Sequence, residues 1–204
     1  MPKQTFFNLE PGRREGVIAA AVEEFARHPY EQASLSRIVE NCGIAKGSMY
    51  QYFEDKLDLY LYIVELAYER KQDYVGRAFS LGGGIFAVLE EYYRQSFLFS
   101  QDFPLLHQVA NNFWSSRALV LRGELEEGRL SRAEEFSEFL ARALKSGRAN
   151  AGLDAQAVFF VYHAVGKALI DYFDQDMDDG FVKEVLDVLR YGLQKRGEEE
   201  CSKK

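Results

Sequence analysis

Helical spacing of apolar residues runs along almost the whole chain, and this feature constrains the fold more than any other. Near the N-terminus, Ile18, Val22 and Phe25 recur on one face at intervals of three or four residues. No segment alternates apolar and polar residues as a strand does, and no proline follows Pro104. The sequence therefore predicts an all-α chain of about nine helices.

Turn signals divide the pattern into individual helices. The triple glycine at 82–84 is the clearest loop, and Gly43 suits a left-handed turn. Helices are predicted at about 12–27, 34–43, 45–52, 55–79, 85–100, 104–114, 117–145, 154–173 and 181–195. We expect an N-terminal three-helix domain over 1–55 and a larger helical domain over 56–204.

Two short predicted helices joined at Gly43 have the layout of a helix-turn-helix. Such a unit places the N-terminal end of its second helix in the major groove of DNA. That end reads Ala45-Lys46-Gly47-Ser48, where small side chains allow close approach and backbone N–H groups suit a phosphate. Tyr50 lies one turn further on the same face, and Gln51 has the chemistry to pair with adenine.

The overall charge does not indicate nucleic-acid binding. The formal net charge is −7, and residues 1–60 carry seven Lys or Arg against nine Asp or Glu. The prediction therefore depends on the position of Lys46 and its neighbours. A helical bundle without DNA binding, in which Tyr50 and Tyr52 only pack, stays open as the alternative.

The run from Gly43 to Tyr60 resembles the signature of TetR-type transcriptional regulators. In that family the recognition helix begins with a small residue followed by Lys and Gly. A Ser or Thr, an apolar residue and a Tyr come next. After one variable position the run continues with Tyr or His, then Phe, and a Lys follows three residues later. The resemblance covers about 14–60, although Ala45 stands where Ser is common and Cys42 where Ala is usual. It implies that base and phosphate contacts are made by Leu35, Ser36, Ala45, Lys46, Gly47, Ser48, Tyr50, Gln51, Tyr52 and Lys56.

The resemblance also implies a homodimer that binds double-stranded DNA at a palindromic operator, with an effector pocket in the C-terminal domain. We expect a repressor that is released by a small, largely apolar effector. The middle helices are rich in aromatic residues, which suit an apolar ligand, although plain core packing is the better explanation of any single one. The expected pocket residues are Phe97, Phe103, Phe113, Trp114, Phe136 and Tyr162.

The predicted helix at 154–173 is apolar on two sides, so one side needs a partner. A two-fold dimer through the last two helices would bury it, and the alternative is that both sides fill one core. The expected interface residues are Phe159, Tyr162, Val165, Gly166, Ile170, Val185 and Leu189. The second stripe on that helix is made of Ala157, Val161, Ala164 and Ala168.

Other classes of protein find little support in the sequence. No apolar run is long enough for a membrane span and the N-terminus has no secretory signal, so we expect a cytoplasmic protein. Two cysteines make no disulfide framework, and His107 and His163 have no partner at metal-ligand spacing. No nucleophile motif or phosphate loop occurs, so we expect neither an enzyme nor a bound cofactor.

Overall fold

The computed structural model describes residues 2–80, 85–115, 154–173 and 175–191, and every regular element in these ranges is helical. The predicted all-α class is confirmed. These residues form nine α-helices and a 3-10 turn at Ala78–Ser80. The helices are α1 (Gln4–Phe7), α2 (Pro11–Arg27), α3 (Leu35–Asn41), α4 (Lys46–Tyr52), α5 (Lys56–Val75), α6 (Ile85–Asp102), α7 (Pro104–Ser115), α8 (Ala155–Tyr172) and α9 (Asp179–Tyr191).

Helix starts follow the local chemistry of the sequence. The side chains of Ser34, Asp55 and Asp154 each accept a hydrogen bond from the backbone N–H three residues on, which is the usual N-cap geometry. Pro11 occupies the first position of α2. The short helix α1 was not predicted, and the predicted helix at 117–145 lies outside the described residues, as does Phe136.

One hydrophobic cluster joins α1 to α5 with the C-terminal half of α7. Phe6, Phe25, Met49 and Tyr60 are at its centre, each at most 1% exposed. Val109, Ala110 and Phe113 of α7 belong to the same cluster. The core is therefore continuous across residue 55, because α5 and α7 complete the packing of the N-terminal helices.

A polar contact also connects α7 with α2. The side-chain amide of Asn112 donates to the carbonyl oxygens of Phe25 and Ala26, both at 2.9 Å. These carbonyls belong to the last turn of α2, where the helix supplies no further N–H groups to donate to them. Asn112 therefore completes the C-terminal end of α2 from another helix.

A second cluster is formed by α6, α8 and α9 around Leu89, Tyr93, Leu169 and Leu186. Gly166 is where α8 crosses α6, since a Cβ atom there would lie 2.5 Å from the ring of Tyr93. The Tyr93 hydroxyl donates to the backbone oxygen of Tyr162 at 2.7 Å. These contacts fix which side of α8 faces its own chain.

Most of the expected dimer residues lie on the inward side of α8 and α9, and their role in a dimer stays a prediction. Because α8 and α9 pack against α6, these residues face the interior of the single chain. They belong to the second cluster or to the cavity described below, and they are Tyr162, Val165, Gly166, Ile170, Val185 and Leu189. Phe159 lies in α8, but its side chain is outside the described set.

The outward side of α8 and α9 is apolar and exposed. On α8 it carries Phe160, which is 73% exposed, and the small residues of the second stripe. Tyr172 stacks on Phe181 at 5.4 Å between ring centroids and so joins the two helices. We call this surface, made of Ala157, Phe160, Val161, Ala164, Ala168, Tyr172, Phe181, Val188 and Tyr191, the outer face. No helix within the described ranges is long and apolar enough to cross a bilayer.

Candidate nucleic-acid interface and internal cavity

The turn between α3 and α4 depends on Gly43. Its φ of +66° is the one positive value among the described residues. The N–H groups of Gly43 and Ile44 donate to the carbonyls of Glu40 and Val39 at 3.2 and 3.0 Å, which closes the end of α3. A Cβ at Gly43 would meet no atom within 4 Å, so backbone conformation alone requires glycine.

The two sides of α4 differ in exposure. Lys46, Gly47, Tyr50 and Gln51 are exposed, and Ser48 is half-buried. Met49 and Phe53, four residues apart on the other side, are 1% exposed. The exposed side therefore has the small residues and the cation that a helix in a DNA groove needs.

Tyr52 differs from the expectation that it contacts DNA. It is 7% exposed, and its ring lies 6.2 Å from that of Phe6. The ring supports α4 from behind and does not belong to the exposed side. The partner that buries it, Phe6, lies in the unpredicted helix α1.

The start of α4 joins contact residues from two helices. The ammonium of Lys46 donates to the hydroxyl of Ser36 at 3.2 Å, and both residues are exposed. Ala45, at the N-cap, offers no side-chain hydrogen bond to the first turn. The N–H of Ser48 donates to the carbonyl of Ala45 at 2.9 Å, whereas the N–H groups of Lys46 and Gly47 gain no capping side chain. Leu35, at the start of α3, is half-buried.

Lys56 serves the packing of the domain. Its ammonium donates to the carbonyl oxygens of Tyr30 and Ala33 at 2.7 and 3.1 Å and lies 4.4 Å from the centre of the Tyr30 ring. An ammonium has three donors, so one remains for another acceptor. Lys56 therefore ties the start of α5 to the loop between α2 and α3.

The N-terminal segment, residues 2–8, closes the C-terminal end of α4. The backbone N–H of Lys3 donates to the carbonyl of Tyr52 at 2.8 Å, and its ammonium donates to that of Tyr50 at 3.0 Å. The Thr5 hydroxyl donates to the carbonyl of Gln51. Three carbonyls that lack an intrahelical donor are thus satisfied. Sequence reasoning missed this support, although the pair Phe6-Phe7 in a polar terminus is a signal that could have indicated it.

A buried carboxylate connects α2 to the start of α3. Glu24, 5% exposed, accepts from the backbone N–H of Ser34 at 2.7 Å and from the Arg37 guanidinium at 3.0 Å. Burial alone would raise the pKa of Glu24, but the hydrogen bonds from Arg37 and Ser34 outweigh it and hold the pKa below its usual value. Arg37 is therefore a structural cation, which the charge count of the sequence could not show.

A cavity of about 30 Å³ lies where α5, α6, α7 and α8 meet. Of the expected pocket residues, Tyr162 lines it. Phe97, Phe103, Phe113 and Trp114 do not, because their rings pack against other aromatic side chains of the cores. The lining residues are Lys71, Tyr92, Tyr93, Ser96, His107, Asn111, Tyr162, His163, Gly166, Lys167 and Ile170.

This lining combines polar groups with aromatic rings and carries positive charge. Burial, followed by the nearby ammonium groups of Lys71 and Lys167, lowers the pKa of His163 to about 4. Burial and Lys71 likewise lower the pKa of His107 to about 4. Both imidazoles are therefore neutral at pH 7. The described residues include no cluster of His, Cys, Asp and Glu suited to a metal ion.

The geometry of α3 and α4 agrees with comparisons to known proteins. Residues 17–63 match the model of the bacterial regulatory proteins of the tetR family. A TetR family transcriptional regulator from Chloroflexus aurantiacus shares the fold with a TM-score of 0.68 and 27% identity, over 96% of this chain and 100% of that one.

Curated relatives agree. The HTH-type transcriptional regulator RutR of Escherichia coli is 24% identical over 80% of this chain and 76% of its own. The fatty acid metabolism regulator protein of Bacillus subtilis is 26% identical over 69% of this chain and 72% of its own. Residues 17–63 therefore belong to the tetR family of bacterial regulatory proteins, and the chain as a whole has the fold of a TetR family DNA-binding transcriptional regulator.

Proposed function

We propose that this regulator is a repressor that binds a palindromic operator as a homodimer and is released by a small-molecule effector. The observation that carries the proposal is the exposed side of α4, where Lys46, Gly47 and Tyr50 lie together in front of a buried Met49 and Phe53. A helix with this arrangement fits the major groove with its N-terminal end first.

The proposed contacts divide by chemistry. Lys46, Gly47, Ser48, Tyr50 and Gln51 enter the groove. Backbone groups at Leu35, Ser36 and Ala45 bind phosphate, and the third donor of Lys56 is available for a flanking phosphate. Tyr52 acts indirectly, because its buried ring holds α4 in place.

The outer face is the proposed dimer interface. Its aromatic and small residues form one continuous apolar surface across α8 and α9, which is unfavourable in water. A second copy related by a two-fold axis would cover it and would pair two recognition helices for two half-sites. This surface replaces the inward stripe expected from the sequence.

The cavity is the proposed effector site, and its small size supports a mechanism in which effector binding releases the operator. A cavity of about 30 Å³ holds about two water molecules, so an effector enters only by spreading the surrounding helices. Because Asn112 of α7 is bonded to the end of α2, this spreading strains the DNA-binding end. The ligand-bound state then binds the operator less tightly.

Gly47→Ala tests the DNA-binding arrangement. A Cβ at Gly47 meets no protein atom within 4 Å, so alanine should stabilise α4 by about 1 kcal/mol. The same methyl group should keep the helix from the groove and weaken binding to a duplex selected from a random library by about tenfold or more, as measured by fluorescence anisotropy.

Gly16→Ala is the matched control, since Gly16 is also helical, exposed and free of atoms within 4 Å. It should add stability and leave DNA affinity unchanged. Lys46→Ala and Tyr50→Ala should each weaken binding. Unchanged affinity in Gly47→Ala, Lys46→Ala and Tyr50→Ala together would show that α4 is not the recognition helix.

A further inference from the structure

The lining of the cavity differs from what an apolar effector would need. Ile170 supplies the one aliphatic side chain among its described lining residues, whereas the others are mainly amine, imidazole, hydroxyl and amide groups. We propose that the cavity binds the oxyanion group of a small ligand, a carboxylate or a phosphate, between Lys71 and Lys167. That this ligand is the effector rests on the function proposed above.

Charge is the first argument. Two ammonium groups line the cavity, and none of its described lining residues is an Asp or Glu, although the chain as a whole has a net charge of −7. Lys167 is held at 2.5 Å by Asp171 one turn further on α8, so one acid offsets part of this charge from outside the lining. Lys71 lies 5.0 Å from the ring centre of Tyr92. An anion placed between the two ammonium groups is attracted by both.

Ser96 is the second argument. Its hydroxyl is completely buried on the cavity wall and has no hydrogen-bond partner among the described residues. A buried hydroxyl without a partner is unfavourable, and an oxyanion in the cavity would accept its proton. The amide of Asn111, already 2.9 Å from Nε2 of His107, lies on the opposite helix.

The histidines supply a third, independent argument. His107 and His163 face Lys71 of α5, Tyr92 and Tyr93 of α6, and Lys167 and Asp171 of α8. An anion among these groups stabilises the imidazolium form of both rings. The bound ligand should therefore be held more tightly as the pH falls from 7 towards 5.

The chain has three histidines, so NMR of their ring protons gives a simple readout in the intact protein. The probes are acetate, benzoate and inorganic phosphate, with acetamide and benzamide as neutral controls of matched shape. We expect saturable shifts of the His107 and His163 signals with at least one anion and none with the amides. His28, at the end of α2, should not move. Carboxylate and phosphate are distinguished by which probe saturates at the lower concentration.

Substitution of the lysines tests the location. Lys71→Met and Lys167→Met should each weaken binding of the saturating anion by about tenfold or more, which is typical of a lost hydrogen bond to a charged group. Ser96→Ala should weaken it less. Lys183→Met, on the exposed side of α9, is the control and should bind like the parent.

The outcome separates this inference from the function on which it rests, because binding is measured without DNA. Equal shifts from amide and acid, no shift with any anion, or equal losses in Lys71→Met and Lys183→Met would overturn the oxyanion site. An anion that binds as expected but leaves operator affinity unchanged would uphold the site and refute its role as the effector site.

Discussion

At the scale of single residues, burial determines the charge of two histidines. Burial, with the help of the nearby lysines, lowers the pKa of His107 and His163 to about 4, whereas histidine in an unfolded chain titrates near 6.5. Between these two values the unfolded chain binds more protons than the folded one. The contribution of the two neutral histidines to stability is therefore fully present above about pH 6.5 and is lost as the pH falls towards 4.

The first prediction concerns the stability of the protein in this pH range. Lowering the pH from 7.5 to 5 should reduce the free energy of unfolding by about 2 kcal/mol for each of the two histidines, as measured by urea denaturation. His107→Gln should remove about half of this loss. His28→Gln leaves both cavity histidines in place and should show the same loss of stability as the parent. A loss of the same size in His107→Gln and the parent would contradict the prediction.

Residues whose role depends on the backbone nearby were predictable from the sequence. Gly43 lies at the predicted left-handed turn, and α3 and α8 begin one residue after the predicted starts at 34 and 154. The resemblance implies that Tyr52 contacts DNA, but its ring is buried against Phe6, which lies far away in sequence. The four-helix cavity could not be derived either, since its lining residues approach one another only in the tertiary fold.

At the scale of elements, α4 depends on its neighbours. It has seven residues, no side-chain N-cap and a glycine at its second position, so it would be marginal alone. Lys46 connects its start to α3, and the N-terminal segment satisfies the carbonyls of its last turn. The proposed recognition helix is thus held at its start by a contact within the matched region 17–63, and at its end by a segment that lies before that region.

The second prediction concerns this support. Phe6→Ala removes a completely buried ring and should lower the free energy of unfolding by about 3 kcal/mol. It should also weaken operator binding about tenfold, because the last turn of α4 loses its anchor. Thermal unfolding and anisotropy measure the two effects.

Phe7→Ala is the matched control, since Phe7 is next in the chain but 47% exposed. Thr5→Val separates affinity from folding, because it removes one hydrogen bond to α4 with little change in volume. We expect it to weaken DNA binding severalfold and to leave the melting temperature nearly unchanged. Identical effects of Phe6→Ala and Phe7→Ala would argue against the anchoring role.

The sequence of α8 alone does not determine which of its two apolar sides faces its own chain. Its two apolar stripes were recognised, but the choice of the inward one depends on Gly166 meeting the Tyr93 ring of α6. Amphipathic spacing gives the number of buried sides of a helix and does not identify the partner of each side. The choice of interface residues between the two stripes therefore stays a prediction, which only the assembly itself can test.

At the scale of the whole molecule, the outer face sets the expected assembly. Two DNA half-sites require two recognition helices in one particle, and the outer face is the extended apolar surface available on the described part of the C-terminal domain. Dimerisation would thus serve both to cover this surface and to bind the operator.

The third prediction tests this assembly. Val161→Glu with Ala164→Glu places two acids on the outer face, and burying them without partners should weaken the dimer about a hundredfold or more. Light scattering should then give the mass of one chain, and operator affinity should fall in parallel. Gln108→Glu adds an acid at an exposed position of α7 and should remain a dimer. Unchanged mass in the double variant would exclude the outer face as the interface.

The side chain of Asn112 has a mechanical consequence. It bonds the end of α2 to the helix that brings His107 and Asn111 to the cavity wall, so the two ends of the molecule share one rigid connection. A rotation of the DNA-binding helices must either break both hydrogen bonds or carry α7 with it. The helices of the two hydrophobic clusters are therefore less free to move independently than the helices of two unconnected clusters would be. Because linkage is reciprocal, an effector that lowers operator affinity by some factor must itself be bound less tightly, by the same factor, once the operator is occupied.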